Sequence, residues 1–207
     1  MKKYIALLLA LVMVLTLTAC GLSTKDLAHK WVMMDNYTED GARENLEAFG
    51  FYEEEIALAD LTCIGAVRYL TFGTDGSYSF IYNEEETHEK LVAYYDNYIT
   101  NLFNNRDKLV DDYGADVIDE LSDEETFKEF YAYMFSCETY EALLDALADD
   151  TFDFSEANEQ GTYKLTGDTV ILYENGGSDG ATIGVALEGN TLTITYTDGT
   201  EVYTLAD

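Results

Sequence analysis

Basic residues are scarce in this chain: 11 Lys and Arg stand against 41 Asp and Glu in 207 residues. Such a surface repels phosphate backbones and anionic lipid headgroups, so nucleic-acid binding is excluded as a function. Histidine is scarcer still, with His29 and His88 alone, each among polar or charged neighbours. Neither has a motif partner, and both read as surface residues. Three cysteines and two distant histidines do not make a zinc set, so no metal or cofactor is expected. GxSxG, HExxH and a phosphate-cradling glycine loop are all missing. The glycine-rich stretch 175–180 lacks the alternating acids and closing Glu of a calcium-binding loop. Glu53-Glu54-Glu55 and Glu84-Glu85-Glu86 read as solvated runs or negative first turns of helices. Nothing here names a catalytic activity, and the expectation is a protein that is not an enzyme. A carboxylate-based hydrolase is the enzymatic alternative, and it requires a facing pair of acids at a set separation.

Long apolar runs are also missing after residue 18. The one such run, Tyr4 to Thr18, follows Lys2 and Lys3 and ends abruptly at Cys20. It is short for a membrane span and suits the core of a secretory signal. Leu17-Thr18-Ala19-Cys20 resembles the lipobox of bacterial lipoproteins, with Leu three residues before the Cys and small residues between. The resemblance implies a signal peptide over 1–19, cleavage before Cys20 and lipidation of that cysteine. The protein would then sit on the outer face of the cell membrane, held by lipid, with residues 20–28 as a tether. Loss of Lys2 and Lys3 leaves nine basic residues against 41 acids, a net charge of −32. That charge is read as solubility for an exported protein. Cys63 and Cys137 read as small buried residues, and a disulfide between them is left open.

What is present is ample for a core: 47% hydrophobic residues, 14% aromatic, 17 of them tyrosines. Lys30 to Met34 suits a first strand. Thr38 to Phe49 has helical composition with Gly50 as its stop, and Glu53 to Leu61 suits a second short helix. Leu70, Phe72, Tyr78 and Phe80 flank Thr74-Asp75-Gly76. A three-residue loop with Gly76 left-handed puts all four on one face, so that register is expected. From Glu84 the period moves to 3.6, with Leu91, Tyr94, Tyr95, Tyr98, Leu102 and Leu109 in one stripe. Ser122 with Glu125 fits a capping box for a helix carrying Phe127, Phe130, Tyr131 and Met134. Another helix carries Tyr140, Leu143, Leu144 and Leu147, so 84–158 reads as a helical insertion.

Strands resume at Gly161. A Gly167-Asp168 turn pairs Leu165 with Val170 and Tyr163 with Leu172. A Gly189-Asn190 turn pairs Leu187 with Leu192 and Val185 with Ile194, while an Asp198-Gly199 turn pairs Ile194 with Tyr203 and Leu192 with Leu205. Both turns send the same face of the central strand to the core and leave Thr191, Thr193 and Thr195 on the other. The fold class expected is mainly β with a helical insertion, an antiparallel meander closing into a small eight-stranded barrel.

Three stretches carry a family resemblance: Leu70-Thr71-Phe72 with Asp75-Gly76-Ser77-Tyr78, Gly161-Thr162-Tyr163 with Gly167-Asp168-Thr169, and Gly189-Asn190-Thr191-Leu192-Thr193-Ile194. With Trp31 on the first strand, they look like the lipocalin-like lipoproteins of uncertain function found in Gram-positive gut bacteria. The resemblance covers 67–83 and 160–205 and implies one lipocalin-like domain over 29–207. His29 stands where such domains place a Gly, and the helical insertion is not part of the pattern. On this reading the chain is a binding module for an unknown small ligand or envelope protein. Its alternative is an interaction protein whose barrel is filled. Tyr94, Tyr95, Tyr98, Tyr131 and Trp31 form the candidate binding surface, since tyrosine covers apolar area while keeping a polar tip.

Overall fold

The computed structural model describes residues 22–152, 154, 158–174, 177 and 179–206. The stretch expected to be a signal peptide, Cys20, and Asn175, Gly176 and Ser178 of the glycine-rich loop lie outside the described residues. Eight antiparallel strands close into a barrel in chain order. They are β1 Lys30–Asn36, β2 Gly65–Phe72, β3 Ser77–Tyr82, β4 Glu159–Thr166, β5 Thr169–Glu174, β6 Ala181–Glu188, β7 Thr191–Thr195 and β8 Thr200–Leu205. Closure pairs Trp31 of β1 with Leu205 of β8, so the meander leaves no bare edge there.

The turns follow their sequence signals. Gly73 donates its N–H to the Ser77 carbonyl at 2.7 Å around the loop Thr74-Asp75-Gly76, and Gly76 takes a φ of 84°. That conformation is cheap for glycine and strained for other residues. Gly167 and Gly189, each at φ 62°, open the two-residue turns, and Leu165 meets Val170 while Val185 meets Ile194, as expected. Gly161 has a different role: a Cβ there would lie 2.0 Å from the Tyr173 carbonyl oxygen and 2.9 Å from the Tyr78 ring.

The last turn departs from expectation. Thr195 pairs with Thr200, so Leu192 faces Tyr203 and Ile194 faces Glu201. Neither Asp198 nor Gly199 has the positive φ of a tight two-residue turn. The loop is instead Tyr196 to Gly199, closed by the Tyr196 N–H on the Gly199 carbonyl at 2.8 Å. The slip is by two residues, so the inward face is kept, and Leu192, Ile194 and Tyr203 are all fully buried.

By compactness the chain divides into two units. Among the described residues, the first comprises 22–33, 69–81 and 158–206, and the second comprises 34–68, 82–152 and 154. The first has a core of Leu27, Trp31, Leu70, Phe72, Tyr78, Phe80, Tyr163, Val170, Leu172, Ile183, Val185, Leu192, Ile194 and Tyr203. These side chains fill the barrel interior. The stretch expected as a tether is folded from Ser23: α1, Thr24–Leu27, is capped by Asp26 on Ser23. It delivers Leu27 into the core, where its carbonyl accepts the Trp31 indole N–H at 3.1 Å.

The second unit is helical. Its elements are α2 Glu39–Phe49, α3 Glu53–Ile56, α4 Glu84–Asn104, α5 Val110–Tyr113, α6 Ala115–Glu120, α7 Glu124–Met134 and α8 Tyr140–Thr151. Thr38 caps α2 and Gly50 ends it at φ 101°. The second short helix is shorter than expected, ending at Ile56 and followed by a 3-10 turn at Leu61–Cys63. The cap of α7 is Asp123, one residue after the expected Ser122. Its carboxylate accepts the Thr126 N–H at 2.9 Å on one oxygen and the Thr126 hydroxyl at 2.7 Å on the other. This unit is larger than the insertion: Ala42, Leu46, Phe51, Ile56 and Ile64 share one core with Leu91, Tyr95, Ile99, Phe127, Tyr131 and Leu144.

Candidate functional site

The helical unit carries a cavity of about 560 Å3. One wall is α4. Lys90, Ala93, Tyr94, Asn97, Tyr98 and Asn101 recur every three or four residues and so share one side of that helix. The opposing wall is Met34 and Asn36 of β1, Leu58, and the turn residues Asp60, Thr62 and Cys63. Four hydrogen bonds fix this wall. The Asn101 amide donates to the Leu58 carbonyl at 2.8 Å. Asp60 accepts the Thr62 N–H at 3.2 Å, the Thr62 hydroxyl at 2.7 Å and the Cys63 thiol at 3.3 Å.

Those bonds set the local charges. The Thr62 hydroxyl and then the Cys63 thiol hold the Asp60 carboxyl below its ordinary 3.8, so it is an anion at neutral pH. The same bond pushes the Cys63 thiol above its ordinary 9.0, which keeps it protonated and a poor nucleophile. Cys63 is exposed and Cys137 half-buried, and both are free thiols. The expectation of two buried cysteines is corrected for Cys63: the 3-10 turn gives the inward position to Ile64, which is fully buried.

The tyrosines divide sharply. Trp31 is 1% exposed inside the barrel. Tyr95 is fully buried with its hydroxyl 2.9 Å from that of Thr151. Tyr131 is 1% exposed and donates its hydroxyl to Glu55 Oε1. These three are interior and offer no surface. Tyr94 and Tyr98 line the cavity, their rings stacked at 6.2 Å between centroids and 19° between planes. Their hydroxyl oxygens are inaccessible to a water-sized molecule, from the cavity as from bulk solvent, and neither has a hydrogen-bond partner among the described residues. Burial pushes both phenols well above their ordinary 10.0, so both are neutral donors.

Glu55 escaped the sequence reading. It belongs to a run that looked solvated, yet it is 1% exposed. Its Oε2 accepts the Tyr52 N–H at 2.6 Å, and its Oε1 accepts the hydroxyls of Tyr113, at 2.7 Å, and Tyr131. Three donors on one carboxylate replace its lost water. The partners lie 58 and 76 residues away, so no local pattern reveals them. Lys90 and Asn97, in contrast, share the helical period of Tyr94 and were findable from it.

His88 lies 3.6 Å from Asp145 and 3.4 Å from Asp149, and His29 is exposed with its ring edge on Trp31. Among the described residues, no group of three or more His, Cys, Asp or Glu is placed to hold a metal ion. No described helix is long and apolar enough to cross a membrane. A second hollow, of about 860 Å3, is lined by Glu124, Glu125, Glu129, Glu138 and Glu141 with Lys128, Tyr133 and Tyr140. Tyr133 there is 79% exposed. No protein-family model, curated protein or solved structure matches the chain.

Proposed function

We propose that this is a lipid-anchored extracytoplasmic binding module whose barrel is a scaffold and whose small-molecule site is the cavity between α4 and the Leu58–Cys63 segment. One observation carries the reading. The barrel interior is occupied by its own side chains, whereas the helical unit has a hollow of about 560 Å3. That volume is within the range of small-molecule sites, roughly 300–1,000 Å3, and its lining of rings and aliphatic groups with a few polar atoms is of the same kind. Lipidation at Cys20 would hold the site at the outer face of the membrane.

A thermal-shift screen of residues 21–207 against a small-molecule library tests the reading. That segment contains every residue of both cores. Ala93 is exposed on the cavity wall, so Ala93→Trp fills the hollow without touching the core. Compounds are expected to stabilise the parent and not this variant. Equal stabilisation of the two, or of neither, overturns it.

A second reading is an envelope interaction protein without a small ligand. Its support is the glutamate-lined hollow on α7 and α8 with the outlying Tyr133, an aromatic in an acidic rim that suits a protein partner.

A further inference from the structure

We propose that the barrel stands end-on against the lipid surface, with α1 and the loops at 73–76, 167–168 and 189–190 as its docking face. This rests on lipidation of Cys20, and it adds which face of the protein the membrane meets.

Reach is the first argument. Leu22 packs against the barrel core, and Leu27 of α1 is fully buried in it. Leu22 comes two residues after Cys20. Two residues of chain span at most about 7 Å. An acylated Cys20 therefore holds the barrel close by its α1 side, with no length of chain on which to swing away.

Topology says what else lies at that end. The barrel is antiparallel and closed in chain order, so alternate connections share an end. The β2–β3 loop at 73–76, the β4–β5 turn at 167–168 and the β6–β7 turn at 189–190 lie at the end where β1 begins. Hydrogen bonds tie this end together. The Phe72 N–H donates to the His29 carbonyl at 3.3 Å, and the Ala206 N–H to the Lys30 carbonyl at 2.9 Å. The Leu205 N–H donates to the Asn190 carbonyl at 2.8 Å. None of the three loops exceeds four residues or holds a side chain larger than Asp or Asn, so headgroups can approach closely.

Charge is the third argument. Residues 20–30 carry a net +1, from Lys25 and Lys30 against Asp26 with His29 neutral, whereas the rest of the exported chain carries −33. Lys25 and Lys30 are both exposed. The three loops add two acids, Asp75 and Asp168. Asp75 is turned onto the Ser77 N–H at 3.0 Å and the Ser77 hydroxyl at 2.6 Å. An anionic headgroup layer attracts the lysines beside the anchor and repels the acids elsewhere, which turns the α1 end toward it.

The test is energy transfer from the lipidated chain to a rhodamine-headgroup lipid in vesicles of phosphatidylcholine and phosphatidylglycerol. Cys63→Ser with Cys137→Ser removes the two native thiols, and Asn190→Cys or Asp198→Cys then takes a fluorescein maleimide. Both are exposed loop positions at opposite ends of β7, which separates them by roughly 15 Å. Transfer is expected to be stronger from position 190 than from position 198. A Gly/Ser insert of about 15 residues after Gly21 spans roughly 20 Å. Read at high salt, so that reach alone is tested, the insert should remove most of that difference. Trp31, the one tryptophan, gives a second reading without any substitution. Its transfer to a dansyl-headgroup lipid should drop on the same insertion. Equal transfer from the two labels, stronger transfer from position 198, or Trp31 transfer that ignores the insert overturns the docking face and leaves the anchor standing. If the parent is absent from the membrane fraction, anchor and docking face fall together.

Discussion

Tyr131 donates its hydroxyl to Glu55 Oε1, joining α7 to α3 across 76 residues of chain around a carboxylate that is 1% exposed. Tyr113 donates to the same oxygen at 2.7 Å. Among the described residues no lysine or arginine forms an ion pair with Glu55, so its carboxylate rests on these three donors. Tyr131→Phe removes one charge-assisted bond and should cost about 1.5–3 kcal/mol in urea denaturation. Glu55→Ala strands the buried Tyr131 hydroxyl and the half-buried Tyr113 one and should cost more. A Tyr131→Phe midpoint equal to the parent's would show that the bond carries no stability.

The buried phenols make the protein fragile in alkali. Burial raises Tyr94, Tyr95, Tyr98, Tyr113, Tyr131 and Tyr140 above their ordinary 10.0, with Glu55 adding to the shift at Tyr98, Tyr113 and Tyr131. Tyr82, beside Asp35, is pushed up to about 12, first by burial and then by that carboxylate. Above pH 10 the unfolded chain releases these protons and the folded chain keeps them. Stability is therefore whole below pH 10 and falls as pH rises through the folded values. The tyrosinate absorbance of these buried phenols should appear in one steep step together with loss of the helical circular dichroism. Ionisation of all 17 tyrosines near pH 10 with the dichroism intact would contradict the burial.

Much of the barrel was legible because two independent signals agree at each turn. At Gly167 and Gly189 a left-handed glycine and a period of two give one register. The last hairpin shows the limit. Asp198-Gly199 carries the dipeptide of a tight turn, yet the hydroxyls of Tyr196 and Tyr203 both reach Glu201 Oε2, at 2.9 and 2.8 Å. Those bonds accompany the four-residue loop and lie outside what a dipeptide signal encodes. Parity survived, because a slip of two leaves each residue on its face. The site was half legible. The α4 stripe named Tyr94 and Tyr98 correctly as neighbours, but periodicity cannot separate the tyrosine that lines a hollow from Tyr95, which ends on Thr151.

That parity has a direct test. Ile194 is fully buried and Thr195, the next residue, is exposed. Ile194→Ala should cost roughly 2–5 kcal/mol, and Thr195→Ala well under 1 kcal/mol. Tyr203→Phe should also destabilise modestly through the lost bond to Glu201, by about 0.5–1.5 kcal/mol or somewhat more for a charged acceptor. Matching denaturation midpoints for Ile194→Ala and Thr195→Ala would sink the register.

Anchoring rests on Cys20 in the proposed reading, since no later stretch is long and apolar enough to hold a membrane. Cys20→Ala is expected to move the protein from the membrane fraction to the soluble one. Stable attachment takes two or more acyl chains, at ~0.8 kcal/mol per buried methylene. A variant that still pellets with membranes at high salt would remove the lipoprotein reading or reveal a second anchor.

Replacing 84–158 with a short Gly/Ser linker asks whether the insertion is separable. The chain could close over the gap, because β3 and β4 are neighbours: Ser77 pairs with Thr162 and Phe80 with Glu159. The barrel core would also survive in composition, since none of its buried members lies in the insertion. The obstacle is what remains of the other core. Leu46, Phe51, Ile56 and Ile64 are all less than 5% exposed, and they are buried against residues that the deletion removes. At about 1.5–3 kcal/mol each, exposing four such side chains forfeits roughly 6–12 kcal/mol. That is as large as the whole stability of a typical domain, about 5–15 kcal/mol. The deletion variant is therefore expected to aggregate or to melt without cooperativity. A second variant, lacking both 37–64 and 84–158, removes the stranded side chains along with their partners and should be the more soluble of the two. Cooperative melting of the single deletion as a β-rich monomer would show that the 37–64 segment finds cover of its own.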